Sequence, residues 1–557
     1  MEKKLSYVKA DPSWLVFPLK VEDIPNKSIA ELLINSAKNW PEKTALICLG
    51  RNMNYSELDD LSNRLAFGLI NNFNLSKGDR VATMMPNCIQ HTLSYFGINK
   101  AGAVAAPVNV MYRERELEYQ LNDSGAETII ALDSFYPLIQ KVRGSTPLKN
   151  IILTNLKDYT SPDAHIPPIF ATEKTRPEGT YDLVKFLEEA APTVPEIEID
   201  ADRDLSLLLY TAGTTGLPKG VMEAHKLCWA AALSLVSADG ITEKDVDLQV
   251  MPMFHTSGYN LVQLPTLSAG GTVVLVPLFN PKECLEQIVK YKVSIIYAPP
   301  TFYVGLVNFS EIDDYDLSNI RISLACGAPT PPPIIDRWRE KTGLTLTDGL
   351  GLTETHCGSI ISGGVMNNPA RQKLGTIGPP VGEAKIVDEN GEIVPVGETG
   401  ELMFRFIGDF TRGYWNKPEE TKAAWTEDGW LHTGDAAYVD EEGFFYFVDR
   451  YKDLIIASGY NIAPTEIDGI IMQHHAVKEV ATIGIPDSYR GQTVKVFVSL
   501  KDEYKGKVKE QEIIDFCRDK MATFKVPRSV EFIEEIPKNS VGKIMRRILQ
   551  EREVKKK

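Results

Sequence analysis

Paired cysteines are missing from this chain. Its 557 residues include seven cysteines, Cys48, Cys88, Cys228, Cys284, Cys326, Cys357 and Cys517. No two form a Cys-x-x-Cys pair and the count is odd, which argues against a disulfide framework or a zinc site and fits a reducing compartment. Most are expected as small buried hydrophobes. Long apolar runs are missing too: nowhere do about eighteen apolar residues follow one another, so no transmembrane helix is expected. The start, Met1-Glu-Lys-Lys-Leu5, has no apolar secretory stretch. A cytoplasmic location is the expectation, with loose peripheral contact with a membrane surface left open. A basic surplus is also lacking, since the net charge is -15. Nucleic-acid binders carry a Lys/Arg excess, so that class is set aside. The basic end, Lys555 to Lys557, reads as a solvated tail. No repeat at solenoid periods is visible.

What is present is a large globular chain. At 557 residues it exceeds one core, so at least two domains are expected. Ser28 reads as the N-cap of an amphipathic helix. Thr44–Leu49, Asp79–Met85, Ala103–Val110 and Glu127–Leu132 read as strands. Tyr55–Asn72, Gln90–Ala101 and Arg113–Ser124 read as the helices between them. The rhythm returns with strand Val273–Val276, helix Pro281–Tyr291 and strand Ser294–Tyr297. Such alternation predicts βαβ units and largely parallel sheets. Thr154–Ile199, rich in Pro, Thr, Glu and Asp, reads as a loop-rich connection. Glu383–Val394 reads as a hairpin around Asn390-Gly391, in a small β-rich subdomain. After Arg450 a compact α+β tail follows, with strands Val480–Gly484, Thr493–Leu500 and Ser529–Phe532 and helices Pro464–Gln473 and Lys509–Lys520.

The segment Tyr210-Thr-Ala-Gly-Thr-Thr-Gly-Leu-Pro-Lys-Gly220 is the most informative. It follows a mostly apolar run, Leu205 to Leu209, that reads as a buried strand. Gly213, Gly216 and Gly220 let the backbone turn tightly against a ligand. Thr211, Thr214 and Thr215 offer hydroxyls, and Lys219 a positive charge. A polyphosphate needs many donors around one cation. This is no Walker A loop, because Gly220, not Ser or Thr, follows Lys219. A bare Gly-Thr-Thr-Gly is equally an ordinary turn; the eleven-residue string is far more specific. The second motif is Asp348-Gly-Leu-Gly-Leu-Thr-Glu354. Gly349 and Gly351 permit close backbone approach, Thr353 supplies a hydroxyl and Glu354 a carboxylate. Magnesium takes hard oxygen ligands and keeps substrate phosphates, so one carboxylate plus polyphosphate oxygens is a workable site. Read bare, the heptapeptide is a glycine turn with a surface glutamate.

The first string resembles the phosphate-binding signature of the adenylate-forming superfamily, which holds acyl-CoA synthetases, luciferases and adenylation domains of peptide synthetases. The likeness runs from about Ser28 to the end, with its motifs in family order. It implies an α/β multidomain fold. Residues 1–449 would form a large AMP-binding domain of two parallel-type α/β subdomains plus a small β-barrel-like one. Residues 450–557 would form a small mobile α+β domain, hinged near Lys452. By the same likeness Asp348-to-Glu354 closes over the nucleotide, with Leu350 where relatives stack an aromatic on adenine. Glu354 and Thr211 are the metal-side candidates. Ala325-Cys-Gly-Ala-Pro329 is similar to the strand end lining the adenine and acyl pocket, which brings in Gly327, Ala328 and Pro329. Asp428-Gly-Trp-Leu-His-Thr-Gly-Asp435 implies that Asp435 accepts both ribose hydroxyls, with Phe447 alongside. Asp449-Arg-Tyr-Lys-Asp-Leu-Ile455 matches the hinge, with Arg450 on ribose and Lys452 at the pivot. Ser458, Gly459 and Tyr460 would border the pantetheine tunnel, where Gly459 leaves room for a thiol. Lys543, after the flexible Gly542, would neutralise charge between carboxylate and α-phosphate. Pro252-Met-Phe-His255 with Gly258 matches the string whose histidine gates the carboxylate site. Tyr259, Tyr297 and Gly327 would complete the acyl pocket, and Met253 and Phe302 add to its apolar character. His432 lies within a motif without an evident chemical role.

The expected activity is therefore ATP-dependent joining of a carboxylic acid to CoA through an acyl-AMP, with Mg2+ as cofactor. The acid is expected to be a medium- or long-chain fatty acid. An aryl-acid CoA ligase is the alternative within the class. An adenylation module loading a carrier protein ranks below these, since no carrier-type serine motif follows Lys543 before Lys557. Retention of Glu354, Asp435, Arg450 and Lys543 argues against a non-catalytic nucleotide-binding regulator. A homodimer is compatible with the sequence.

Overall fold

The structure is a computed structural model that describes residues 4–9, 21–193, 196–211, 218–355, 373, 375–380, 382–405, 413–457, 460–487, 490–539 and 544–555. Two seven-stranded sheets form its centre. The first runs Lys219–Ala224, Leu205–Thr211, Val104–Pro107, Arg80–Met84, Thr128–Leu132, Asn150–Thr154, Tyr181–Asp182 across its width. It is parallel except for the antiparallel edge strand Lys219–Ala224. The second runs Thr347–Gly349, Ile322–Cys326, Ile295–Ala298, Val246–Gln249, Thr272–Leu275, Thr44–Cys48, Arg51–Asn54. It is parallel except for the hairpin strand Arg51–Asn54.

Helices Ile89–Lys100 and His225–Asp239 are buried almost all round, as their lack of a polar face dictates. Lys100 can end up inside because its ammonium meets Asp59 Oδ1 at 2.6 Å, Ser62 Oγ at 2.8 Å and Asn63 Oδ1 at 2.6 Å. Helix Pro281–Tyr291 has the expected bounds: Asn280 caps its start by accepting from the Glu283 N–H, and Lys292 ends it in the left-handed conformation.

A five-stranded antiparallel sheet, Tyr7–Lys9, Glu383–Val387, Gly400–Arg405, Leu431–Val439 and Phe445–Arg450, forms the third subdomain. The turn at Asn390-Gly391 forms, but its return arm pairs only through Val387 and Ile393, and Tyr7–Lys9 takes the edge of Glu383–Val387. The tail builds its own core on strands Ile455–Ala457, Tyr460–Ile462, Val477–Asp487, Gly491–Leu500 and Ser529–Phe532 and helices Pro464–Ile471 and Glu510–Arg518. Two expectations need correction. Ser28 is not the cap of the first helix, which starts at Glu31 after Ala30; Ser28 instead accepts from the Ala30 and Glu31 N–H groups, one turn earlier. The Pro-rich stretch after Thr154 is no plain loop. It carries strand Tyr181–Asp182 and helix Leu183–Glu188, whose Leu183, Phe186 and Leu187 are buried, so the hydrophobic pattern prevailed over the prolines around it. Among the described residues six cysteines are free and all are buried, as expected. No helix among them is long and apolar enough to cross a membrane.

Candidate active site

Ligands of parallel α/β sheets sit outside the carboxyl ends of the strands. Here those ends carry Thr211, Gly327, Gly349 and the segment reaching His255. Strands Leu205–Thr211 and Lys219–Ala224 form a hairpin whose register sets Thr211 opposite Lys219. Tyr210, one residue before Thr211, donates its hydroxyl to Asp123 Oδ2 at 2.8 Å, which fixes the stem. Gly213, Thr214, Thr215 and Gly216 at the apex, Ser458, Gly459 and Lys543 lie outside the described residues.

Lys219 and Glu354 meet the same aromatic residue. The Lys219 ammonium lies 4.8 Å from the centroid of the Tyr414 ring, and the Tyr414 hydroxyl donates to Glu354 Oε1 at 2.7 Å. Burial and the Glu354 charge push the Tyr414 phenol well up, so it stays a hydrogen-bond donor. Glu354 stands on a single 3-10 turn, Thr353–Thr355, closed by the Leu352 N–H on Thr355 Oγ1 at 3.1 Å. Sequence reasoning missed Tyr414, because nothing local to Gly413-Tyr414-Trp415 signals a partner sixty residues away.

Asp348 faces the turn at Gly327 to Thr330. Its carboxylate accepts the Thr330 hydroxyl at 2.5 Å and N–H at 3.2 Å. Burial pushes the Asp348 carboxyl up to about 6, with the two Thr330 bonds opposing. Gly327 has φ +89° with open space where a side chain would be, so backbone conformation requires the glycine there. Ala328 and Pro329 follow it at the strand end, Ala328 half-buried and Pro329 exposed. Gly349 and Gly351 flank Leu350, which is partly buried and packs on the main core together with Phe447. Asp435 and Arg450 lie opposite each other on strands Leu431–Val439 and Phe445–Arg450. Arg450 Nη1 is 2.9 Å from Asp435 Oδ1 and 3.2 Å from the Thr433 carbonyl. Lys452 follows on the exposed turn Tyr451–Asp453, where desolvation lowers its pKa and Asp453 opposes this.

His255 Nδ1 is 2.7 Å from Ser257 Oγ. Gly258 lets the following π-helical turn, Ser257–Gln263, lie on the preceding strand end; a Cβ there would sit 2.2 Å from the Pro252 carbonyl oxygen. Tyr259 and Tyr297 are completely buried. Tyr259 packs edge-on to Tyr95 at 4.6 Å, and Tyr297 donates its hydroxyl to the buried Asp239. Met253 is equally buried, with its sulfur accepting from Gln263, and Phe302 lies between a tilted Phe279 ring and an edge-on Tyr303 ring. His432 pairs with Glu401 at 3.1 Å on the sheet face.

A profile of the family described as AMP-binding enzyme matches residues 33–415, and one of the AMP-binding enzyme C-terminal domain matches residues 466–543. The chain belongs to the AMP-binding enzyme family. It is 39% identical over 554 residues to a long-chain-fatty-acid–CoA ligase of Bacillus subtilis, covering 95% of each chain. It is 34% identical to a long-chain-fatty-acid–CoA ligase of Escherichia coli O6:H1, covering 96% of each. Among solved structures it resembles an anthranilate CoA ligase in complex with anthranoyl-AMP, with TM-score 0.85 at 28% identity, covering 96% of this chain and 99% of that one. The two profile matches leave 416–465 between them, the stretch of this AMP-binding enzyme that carries Asp435, Arg450 and Lys452.

Proposed function

We propose that this AMP-binding enzyme is an ATP-dependent acyl-CoA synthetase acting on a medium- or long-chain fatty acid. The observation that carries the reading is the meeting of Lys219 and Glu354 on Tyr414 at the mouth of the phosphate hairpin. It sets one cation and one hard carboxylate where a triphosphate would lie. The fatty acid rests on the near-full-length similarity to the bacterial ligases.

In the first half-reaction a carboxylate oxygen of the acid attacks the α-phosphorus of ATP and the bond to pyrophosphate breaks. In the second, the CoA sulfur attacks the acyl carbon, AMP leaves with its oxygen, and the thiol proton is released. Activation is needed because a free carboxylate would have to expel oxide. The protein supplies position and charge. Thr211 and Lys219, with the loop between them, hold phosphates. Asp435 accepts the ribose hydroxyls while Arg450 fixes its carboxylate. His255 stands at the carboxylate end. Lys543 neutralises the reacting oxygens in adenylation, and the 458–460 loop lines the thiol path in the second step.

The donor set fits a magnesium ion. Among the described residues no three His, Cys, Asp or Glu side chains converge into a metal cage, and Glu354 offers one hard carboxylate beside the phosphate stem, Tyr414 taking only its Oε1. When bound with the triphosphate, magnesium shields phosphate charge. Residues 1–449 form the AMP-binding domain and 450–557 a mobile one that turns near Lys452. The enzyme works in the cytoplasm.

Pyrophosphate exchange and AMP release, with and without CoA, over palmitate, oleate, octanoate, benzoate and ferulate test the reading. Fatty-acid-dependent exchange and CoA-dependent AMP release are expected. Exchange without any CoA-dependent thioester would point to carrier loading instead. A second reading, an aryl-acid CoA ligase, is favoured by the structural likeness to the anthranilate ligase; preference for benzoate or ferulate would establish it.

A further inference from the structure

We infer that Tyr414 is a positioning residue of the adenylation step, a spacer that keeps Lys219 and Glu354 apart and aimed. The inference rests on the ATP-dependent reading above. Lys219 meets the face of the ring and Glu354 meets its hydroxyl. Among the described residues these two opposite charges form no ion pair with each other; each instead meets Tyr414. Side chains so placed would otherwise collapse onto one another, and each would lose the group it has to face. The ring steadies the ammonium without neutralising it. The hydroxyl occupies one oxygen of Glu354 and orients the carboxylate, as outer partners of metal ligands do.

The surroundings hold Tyr414 rigidly, as a spacer requires. The Met222 N–H donates to the Gly413 carbonyl at 3.0 Å and the Trp415 N–H to the Gly220 carbonyl at 2.7 Å, so the backbone on both sides of Tyr414 is tied to the edge strand of the phosphate hairpin. The Tyr414 N–H donates to Thr421 Oγ1 at 3.0 Å, and its ring packs edge-on to Trp425 at 5.2 Å. Gly413 makes the approach possible, since a Cβ there would lie 2.3 Å from the Thr421 side chain. The Trp415 indole donates to the Asp123 carbonyl at 3.0 Å, and Lys417 lies 3.4 Å from the Asp123 carboxylate that also holds Tyr210. One short segment thus joins the stem of the phosphate loop, the helix carrying Asp123 and the turn carrying Glu354.

Tyr414→Phe keeps the ring and removes the hydroxyl. The first readout needs no turnover: the magnesium concentration giving half the thermal stabilisation by ATP, with no acid present. It should rise about tenfold, the equivalent of one hydrogen bond to a charged group. Acid-dependent pyrophosphate exchange should fall by a similar factor, while thioester formation from supplied acyl-AMP stays unchanged. In a Glu354→Gln background, Tyr414→Phe should change the magnesium half-point less than about twofold, because coupled residues are not additive. An unchanged half-point in the single variant, effects that multiply in the double one, or equal losses in both half-reactions would overturn the inference. Failure of the wild-type chain to exchange pyrophosphate with any acid would instead defeat the reading beneath it, while the magnesium titration of ATP binding would still judge Tyr414.

Discussion

Asp435→Asn separates a ribose acceptor from a structural ion pair, and the geometry sets the size of both effects. The substitution keeps shape but replaces one acceptor oxygen with an NH2 donor and removes the charge. Asp435's side chain is 1% exposed and Arg450's is 25% exposed. Removing one member of a fully buried pair costs about 3–5 kcal/mol. Arg450 is partly in water and keeps its bond to the Thr433 carbonyl, so the loss of stability should be nearer 1–2 kcal/mol. A ribose hydroxyl bonded to a carboxylate contributes about 1.5–3 kcal/mol, so the KM for ATP should rise roughly 10- to 100-fold. The ribose does not react. Its bonds are nearly the same in ground and transition states, and kcat should therefore move far less than KM. The assay is pyrophosphate exchange over a range of ATP, beside a thermal melt without nucleotide. A lowered melting temperature with unchanged KM would reduce Asp435 to an anchor for Arg450. An equal fall in kcat would mean that it positions the α-phosphate, and the ribose argument would fail.

Lys543→Ala should cripple acyl-AMP formation and spare thioester formation from supplied acyl-AMP; equal loss in both half-reactions, each followed by single turnover, would refute its assignment to adenylation. Lys452→Pro fixes φ in the turn Tyr451–Asp453 and should uncouple the half-reactions, so rates near wild type for both would exclude rotation at this residue. The Asp348 carboxyl is pushed up to about 6 from its ordinary 3.8, so between these values the folded chain binds more protons than the unfolded one. Its contribution to stability therefore falls as pH rises through that window, on the order of 1–3 kcal/mol. Asp239 and Asp468, likewise pushed up to about 6, act in the same direction, so the comparison is of variant against wild type. Asp348→Asn should gain melting temperature relative to wild type on going from about pH 4 to about pH 7, and a difference that stays constant across that range would contradict the burial argument.

Local order was legible in several elements whose signals lay within one segment, though not at Ser28. Helix Pro281–Tyr291 shows this best, because Asn280 and Lys292, which bound it, adjoin it in the chain. Strand Ser529–Phe532 of the tail likewise forms with the expected bounds. Which side chains are pocket and which are core was not legible. Met253, Tyr259, Tyr297 and Phe302 are apolar or aromatic in either role, and composition cannot say whether the space beside them holds a ligand or another side chain. The Tyr297 hydroxyl was settled only by Asp239, fifty-eight residues away.

The candidate site divides along the same line. Residues proposed to touch substrates, such as Thr211, Lys219, Glu354 and Asp435, stand in contiguous strings, because a bound phosphate or ribose needs several donors and turns within a few residues. Their supports come from elsewhere. Asp123 holds Tyr210, Thr330 holds Asp348, and Tyr414 holds Glu354, across 87, 18 and 60 residues respectively. A support needs only one well-placed polar atom and leaves no pattern in its own neighbourhood. That is why Tyr414 became visible only with the fold, although it contacts two residues that the sequence had already singled out. It follows that variation in such an enzyme can alter its chemistry at positions no motif contains, and the magnesium titration of Tyr414→Phe measures how large that influence is at one of them.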